Sequence, residues 1–501
     1  MGAQPGEEDR CLTDLVARYA ATTPDTAAVI HANERISYAT LWADALRMAQ
    51  WLGGSGVRAG DLAGITVRHE YNHLLVSLAL IELGCSQVCL ATSDPISARI
   101  LTAQRLKVRW HVVETDFPVI PEVNAIVLDP LAVAATASPE RRDFPVAARE
   151  ESMVIFASSG STGKPKLMPF RQRNLLARRY ERPVPPRVAL VLSSIENNAP
   201  KGRVFIDLLF GATTVMSSTL RNSDILQACA RHTVTEIQMF THSAEALLVQ
   251  AEALPGPFPV LDHVRIDLAG STVSPSLFAR CVRVLSSHTN IRYGSTEVGT
   301  ATVADAVDRA ADGDSVGPPL PGVKVQVVSP ADQVLPDGTP GIIRIRTPMM
   351  VQGYIDDETA SRRHFRDGWF YPGDEGLVSS DGRLIFLGRS DDMMILSGTN
   401  VFAAEIEEVA KLFPGVNEAV AFAIRSPAHG DIPILAIVGS EGVMEAELLA
   451  FCREQLGLRA PKSVARLASI PRTEMGKPKR NEMSANFERL LASNHSRQTR
   501  A

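Results

Sequence analysis

At 501 residues and a formal net charge of −5, the chain is long enough for about three domain-sized units and lacks the basic excess that a nucleic-acid partner calls for. Its 45% hydrophobic and 21% charged content is that of a soluble globular protein, and its most apolar run, Leu74 to Ile81, stops at Glu82, far short of the roughly twenty residues of a membrane span. Six cysteines (Cys11, Cys85, Cys89, Cys229, Cys281, Cys452) follow neither a metal-ligand nor a disulfide pattern, and Met1 to Arg10 carries no apolar signal core, so a reducing, cytoplasmic setting is expected.

Taken in chain order, Ala63–Val67 reads as a strand leading into an apolar helix over about 72–84. The turn between them holds His69-Glu70-Tyr71-Asn72-His73, which matches the zinc signature H-E-x-x-H. A zinc site needs both histidines on one helix face and a third ligand. Here the motif follows a strand, at the entry to a helix, and zinc is rejected. Met153–Phe156 is a second strand, running into a Ser/Thr/Gly turn. Ala189–Leu192 and Thr213–Met216 flank a helical 205–210 region. This alternation predicts an α/β fold with parallel sheets and covering helices. From about 318 to 388 the pattern changes to short strands and turns, a β-rich subdomain of an N-terminal domain over 1–388. A smaller α/β unit over 389–501 follows, with a helix opening at Glu405–Leu412 and a polar, glycine-led boundary at Gly388-Arg389-Ser390-Asp391, its hinge at 389–391.

The turn after Met153–Phe156 is the most informative stretch: Ser158, Ser159, Gly160, Ser161, Thr162, Gly163, Lys164, Pro165, Lys166. Glycines let backbone approach a ligand closely, hydroxyls donate, and two lysines bring positive charge. The loop is built to hold phosphates. It is not the P-loop, because the Gly160–Gly163 spacing is too short and Pro165 stands where Ser or Thr is required.

Four further segments follow in fixed order: Arg292-Tyr-Gly-Ser-Thr-Glu-Val-Gly299, Gly368-Trp-Phe-Tyr-Pro-Gly-Asp-Glu-Gly376, Gly388-Arg-Ser-Asp391 with its continuation to Glu408, and Pro471-Arg-Thr-Glu-Met-Gly-Lys477. That set resembles the acyl-adenylate-forming superfamily of acyl- and aryl-CoA ligases, peptide-synthetase adenylation domains and firefly luciferase. The resemblance covers nearly the whole chain, from Ile36-Ser-Tyr-Ala-Thr-Leu41 to about twenty residues past Lys477.

It implies a two-step ligase in which a carboxylate attacks the α-phosphorus of ATP and a nucleophile, usually the thiol of coenzyme A, then displaces AMP. By the same resemblance Glu297 holds Mg²⁺ and Thr296 bonds the α-phosphate. Tyr293, Gly294, Ser295, Gly270 and Ser271 border the nucleotide. Asp374 accepts from both ribose hydroxyls, as a two-oxygen acceptor can, and Arg389 adds ribose or phosphate contacts. Asp391 is the hinge about which the small domain turns, bringing Ser397 and Gly398 to the thiol side. Lys477 bridges the carboxylate and the α-phosphate in the first half-reaction. The basic run over 459–480 is either a solvated face or a patch for the phosphates of coenzyme A.

The chain departs from the family pattern around the acid. Where many CoA ligases carry an aromatic-His pair, residues 193–203 read Ser-Ser-Ile-Glu-Asn-Asn-Ala-Pro-Lys-Gly-Arg. Asn198 replaces the Asp of amino-acid-activating relatives, which argues against an α-ammonium substrate. Lys201 and Arg203 either bind a second polar group on a small acid or point to solvent from a loop, and the solvent reading is preferred. Met239 is a further pocket candidate, and Leu167 replaces the glycine that usually follows Pro-Lys. The expectation is activation of a small or aromatic carboxylic acid with ATP, Mg²⁺ and coenzyme A. Transfer to a carrier protein or an amine, or activation of nitrite for diazo formation, is the alternative.

Overall fold

Short runs rich in Val, Ile and Ala, most of them four to six residues long, form the buried strands of the two parallel sheets. The computed structural model describes residues 9–137, 146–158, 165–181, 188–216, 224–270, 272–390, 393–396, 399–426, 430–472 and 478–498.

Among these residues the strands assemble into four sheets. The largest has eight strands, in the order Gly299–Ala304, Thr289–Ser295, Arg265–Ala269, Glu236–Phe240, Val188–Val191, Thr213–Met216, Ala27–His31 and Glu34–Ser37. Its inner strands are parallel and its two edge strands antiparallel. A six-stranded sheet runs Asn124–Val127, Trp110–Val113, Leu62–Thr66, Ser86–Cys89, Met153–Ser158, Lys166–Arg171, parallel except for its last pair. Parallel strands need crossover connections, and helices such as Glu70–Glu82 supply them. From His73 to Glu82 that helix is buried at every position and mostly apolar, as a helix between layers must be.

A seven-stranded antiparallel sheet falls between Ser315 and Arg389. A five-stranded sheet with helices Ala403–Lys411 and Glu445–Leu456 follows, around its own apolar cluster of Met394, Val401, Ile406, Leu435, Leu448 and Cys452. The fold is therefore α/β with a β-rich sheet and a smaller C-terminal unit.

Helix Asn198–Leu209 holds the two parallel sheets together. Val204, Phe205 and Leu208 join the core that also contains Leu74 and Phe170, each burial worth about 1.5–3 kcal/mol. On another face Arg203 pairs with Glu236 of the eight-stranded sheet. The helix starts well before the 205–210 region expected from apolar content. Its first turn is Asn-Ala-Pro, and proline is tolerated there because the first-turn amides have no intrahelical acceptor. Residues 198–203 are thus helical, and buried from Pro200 on, rather than a solvated loop, which matters for Lys201 and Arg203 below.

Candidate active site

The Ser/Thr/Gly loop closes a hairpin of the six-stranded sheet. Met153–Ser158 and Lys166–Arg171 pair antiparallel, with Ser158 opposite Lys166 as the last pair. Both shoulders are tied down. Asn198 Nδ2 donates to the Ala157 carbonyl at 2.6 Å, and Arg105 Nη1 donates to the Pro165 carbonyl at 2.8 Å. Residues Ser159 to Lys164 themselves lie outside the described residues.

The Tyr-Gly-Ser-Thr-Glu segment lies at the edge of the eight-stranded sheet. Strand Thr289–Ser295 turns at Thr296–Val298 into Gly299–Ala304. A β-carbon on Gly294 would sit 2.1 Å from the Gly299 carbonyl oxygen, so only glycine lets the two strands approach here. Ser295 Oγ is buried and has no hydrogen-bond partner among the described residues. A ligand oxygen or a water molecule would satisfy such a group.

Tyr293 donates its hydroxyl to Asp374 Oδ2 at 2.7 Å. Burial, then the nearby carboxylate, pushes its phenol well above the ordinary value, so it remains the donor. Asp374 is 6% exposed and stands directly opposite Arg389 on the neighbouring strand, with Arg389 Nη1 3.3 Å from Oδ1. Phe386 packs against the Tyr293 ring at 5.6 Å between centroids. The expected ribose residues therefore meet in one place, and each Asp374 oxygen keeps lone pairs for a further donor.

Lys166 and Glu297 belong to the same neighbourhood. Tyr354 donates its hydroxyl to Glu297 Oε1 at 2.8 Å, and the Lys166 ammonium lies 5.0 Å over the Tyr354 ring. Burial pulls the Lys166 pKa below its ordinary value, while Glu297 opposes that and Arg363 and Arg389 add to it. Lys166 Nζ is 3.2 Å from His364 Nε2. The buried guanidinium of Arg178 reaches the Thr296 carbonyl at 3.5 Å and stacks over Phe170. Tyr354, His364 and Arg178 were not identified from sequence. Their side-chain types are common, and only distant packing brings them here.

Two pocket candidates have other work. The preference for solvent-facing Lys201 and Arg203 is overturned: they are 1% and 5% exposed, because residues 198–203 form a helix between two sheets. Lys201 Nζ contacts Gln87 Oε1 at 3.0 Å and His73 Nε2 at 3.2 Å. Burial lowers its pKa to about 8. His73 thus spends one ring nitrogen on Lys201 and the other on the Val67 carbonyl, and His69 accepts the Asn72 amide as the helix cap. Arg203 binds Asp207 at 2.8 Å and also Glu236, within a buried ionic network that includes Arg265, Asp267 and Arg292. Met239 is 3% exposed in the core. Its neighbour Phe240 lies against Gly270, whose φ of +90° and 2.5 Å approach to that ring exclude a side chain. Ser271, Asp391, Ser397, Gly398 and Lys477 lie outside the described residues.

The sequence model of the "AMP-binding enzyme" family matches residues 16–355, and that of the "AMP-binding enzyme C-terminal domain" matches 405–477. The chain belongs to the AMP-binding enzyme family. A 2-succinylbenzoate–CoA ligase of Bacillus licheniformis is 26% identical, over 92% of this chain and 97% of its own. A feruloyl-CoA synthase of Amycolatopsis sp. is 27% identical, over 94% and 98%. Among solved structures, o-succinylbenzoate CoA synthetase of Bacillus subtilis with its acyl-adenylate superposes with a TM-score of 0.82 at 24% identity, covering 94% of this chain and 97% of that one. The amide bond synthetase of Marinactinospora thermotolerans gives 0.83 at 22% identity, covering 94% and 99%. These two likenesses show a shared fold.

Proposed function

We propose that this protein is an ATP- and Mg²⁺-dependent acid–thiol ligase that activates a small or aromatic carboxylic acid and passes it to coenzyme A. The observation that carries the reading is convergence. The six-stranded sheet delivers Lys166, the eight-stranded sheet Tyr293 and Glu297, and the β-rich sheet Asp374 and Arg389, near enough that Lys166 feels both Glu297 and Arg389.

In the first half-reaction the acid's carboxylate oxygen bonds to the α-phosphorus of ATP and pyrophosphate leaves. In the second, the thiol sulfur bonds to the acyl carbon, AMP leaves, and the thiol proton is released. Two anions meet in the first step, so the site must supply positive charge aimed at the transition state. Lys166 and Lys477 are assigned that role. Asp374, oriented by Tyr293, takes the ribose. Glu297, held by Tyr354, is the carboxylate for the magnesium ion, which supplies charge neutralisation of the phosphates when bound. The buried Ser295 hydroxyl and the glycine-only approach at Gly294 fit a ligand pressed against this hairpin. The family relatives named as CoA ligases support the acceptor.

Lys201 and Arg203 are engaged inside the protein, so neither offers a handle for a second carboxylate. The test is pyrophosphate release across a panel of carboxylic acids and nitrite, with and without coenzyme A, beside Lys477→Ala. Turnover that needs both one acid and coenzyme A, and is lost in the variant, supports the reading. Release indifferent to coenzyme A moves the acceptor to a carrier protein or an amine, release with nitrite alone moves the substrate to that anion, and no release with any acid counts against adenylation.

A further inference from the structure

We infer that His364 is a positioning residue for Lys166, a neutral acceptor that aims the ammonium at the phosphates without cancelling its charge. The inference rests on the nucleotide-binding reading above.

The ring's protonation is fixed by its two partners. A carbonyl oxygen only accepts and an ammonium only donates. Nδ1, 2.8 Å from the Tyr371 carbonyl, must therefore carry the proton. Nε2, 3.2 Å from Lys166 Nζ, must be the lone-pair acceptor. Both contacts require the neutral ring of that one tautomer. Burial also holds the His364 pKa below its ordinary value.

The ring has little freedom to turn away. It stacks on Phe370 at 6.1 Å and 26° and meets the Tyr354 ring edge-on at 6.1 Å and 82°. The Tyr371 amide returns to the His364 carbonyl at 2.7 Å, closing the backbone around it. His364 ends the helix Glu358–His364, and Ser361 Oγ of the same helix accepts the Tyr354 amide at 2.9 Å. The short helix thus braces both Lys166 and the tyrosine that holds Glu297. Three residues after Tyr371 comes Asp374.

The choice of partner carries the argument. Among the described residues Lys166 makes no ion pair, and Glu297, the acid that most affects it, has its Oε1 bonded by Tyr354. A carboxylate in place of His364 would orient the lysine equally well but would neutralise it. An imidazole leaves the full positive charge for an anionic ligand. Purely structural pairing gives no reason to prefer the neutral acceptor.

The experiment measures Mg·ATP binding by calorimetry, ATP KM and kcat, and the thermal midpoint, for the wild type and for His364→Gln, His364→Glu, His364→Leu and Lys166→Met. His364→Gln, which keeps a neutral acceptor, should hold ATP affinity within about threefold. His364→Leu should weaken it about tenfold, the scale of one charge-assisted hydrogen bond, chiefly through KM. His364→Glu should weaken ATP at least as much as His364→Leu while melting no lower than His364→Gln. Lys166→Met combined with His364→Leu should bind ATP no worse than Lys166→Met alone, since the histidine acts through the lysine. If His364→Leu does not fold, the Gln and Glu variants, each combined with Lys166→Met, carry the same comparison. Equal ATP affinity in the Gln and Glu variants, or additive losses in the double variant, overturns the inference while leaving nucleotide binding intact. A wild type that binds no ATP overturns both.

Discussion

Tyr293 and Asp374, 81 residues apart in the chain, are joined by a 2.7 Å hydrogen bond that ties the edge of the eight-stranded sheet to the β-rich sheet. The bond fixes the carboxylate before any ligand arrives. Such preorganisation lowers the ordering cost of binding. Tyr293→Phe removes the donor and keeps the ring, so ATP affinity should fall about tenfold, the value of a hydrogen bond to a charged group. Calorimetric titration with Mg·ATP checks it, and unchanged affinity would mean that the Tyr293 bond does not prepare Asp374 for binding.

Glu297→Gln keeps an acceptor for the Tyr354 hydroxyl and removes the negative charge. The fold should survive, with a thermal midpoint near the wild type, while pyrophosphate release falls about 10²–10³-fold, the scale of one preorganised electrostatic group. A loss that high Mg²⁺ fully repairs would point to weakened metal affinity alone.

Arg203 sits between Asp207 and Glu236 with almost no exposure. Arg203→Ala takes the cation from Asp207 and leaves Glu236 with Arg265, and the expected cost is about 3–5 kcal/mol. Urea titration measures it. A cost below about 1 kcal/mol would mean that the network, including Arg265 and Arg292, redistributes the charge.

Lys201 gives a signed pH prediction. Its folded pKa is about 8 against an ordinary 10.5. A depressed value means that the unfolded chain binds more protons between those limits, so stability rises with pH across that window. The relief is complete above about 10.5 and is lost as pH falls through about 8. The full difference is about 3 kcal/mol at 1.36 kcal/mol per unit. In Lys201→Met this rise should be absent when unfolding free energy is followed from pH 8 to 10.

Glu408 behaves oppositely. Burial, then Asp314, raises its carboxyl from 4.5 to about 7, while Arg309 pulls it down. The folded state then holds the extra proton, so this contribution is present below about pH 4.5 and disappears as pH rises through about 7. Glu408 is on helix Ala403–Lys411, and Asp314 and Arg309 precede the β-rich sheet. Contact between these two parts should therefore weaken toward alkaline pH. Glu408→Gln should be more stable than the wild type at pH 8 and equal to it at pH 5, as read by thermal midpoints.

Much was legible in the sequence because it is local. The alternation of apolar runs and turns fixes strands and helices over stretches shorter than twenty residues. Glycine and hydroxyl spacing raises the expectation of a phosphate loop, though residues 159–164 lie outside the described residues. Motifs such as Tyr293–Glu297 and Gly373–Asp374 carry their chemistry in consecutive residues. The first turn of helix Asn198–Leu209 was missed because polar residues there looked solvated, although Asn-Ala-Pro is a permissible helix start.

Tertiary structure decided which partner each polar group met. Lys201 could be read as solvated or ligand-binding until the fold placed His73 and Gln87 on its ammonium. Two residues of an apparent zinc signature became a helix cap and a lysine acceptor by the same packing. His364 reaches Lys166 across 198 residues, and no periodicity or spacing encodes such a meeting. Local pattern is set by backbone sterics and side-chain burial within a few residues. Charge, tautomer and orientation at a site are set by neighbours that only the closed core brings within hydrogen-bonding reach.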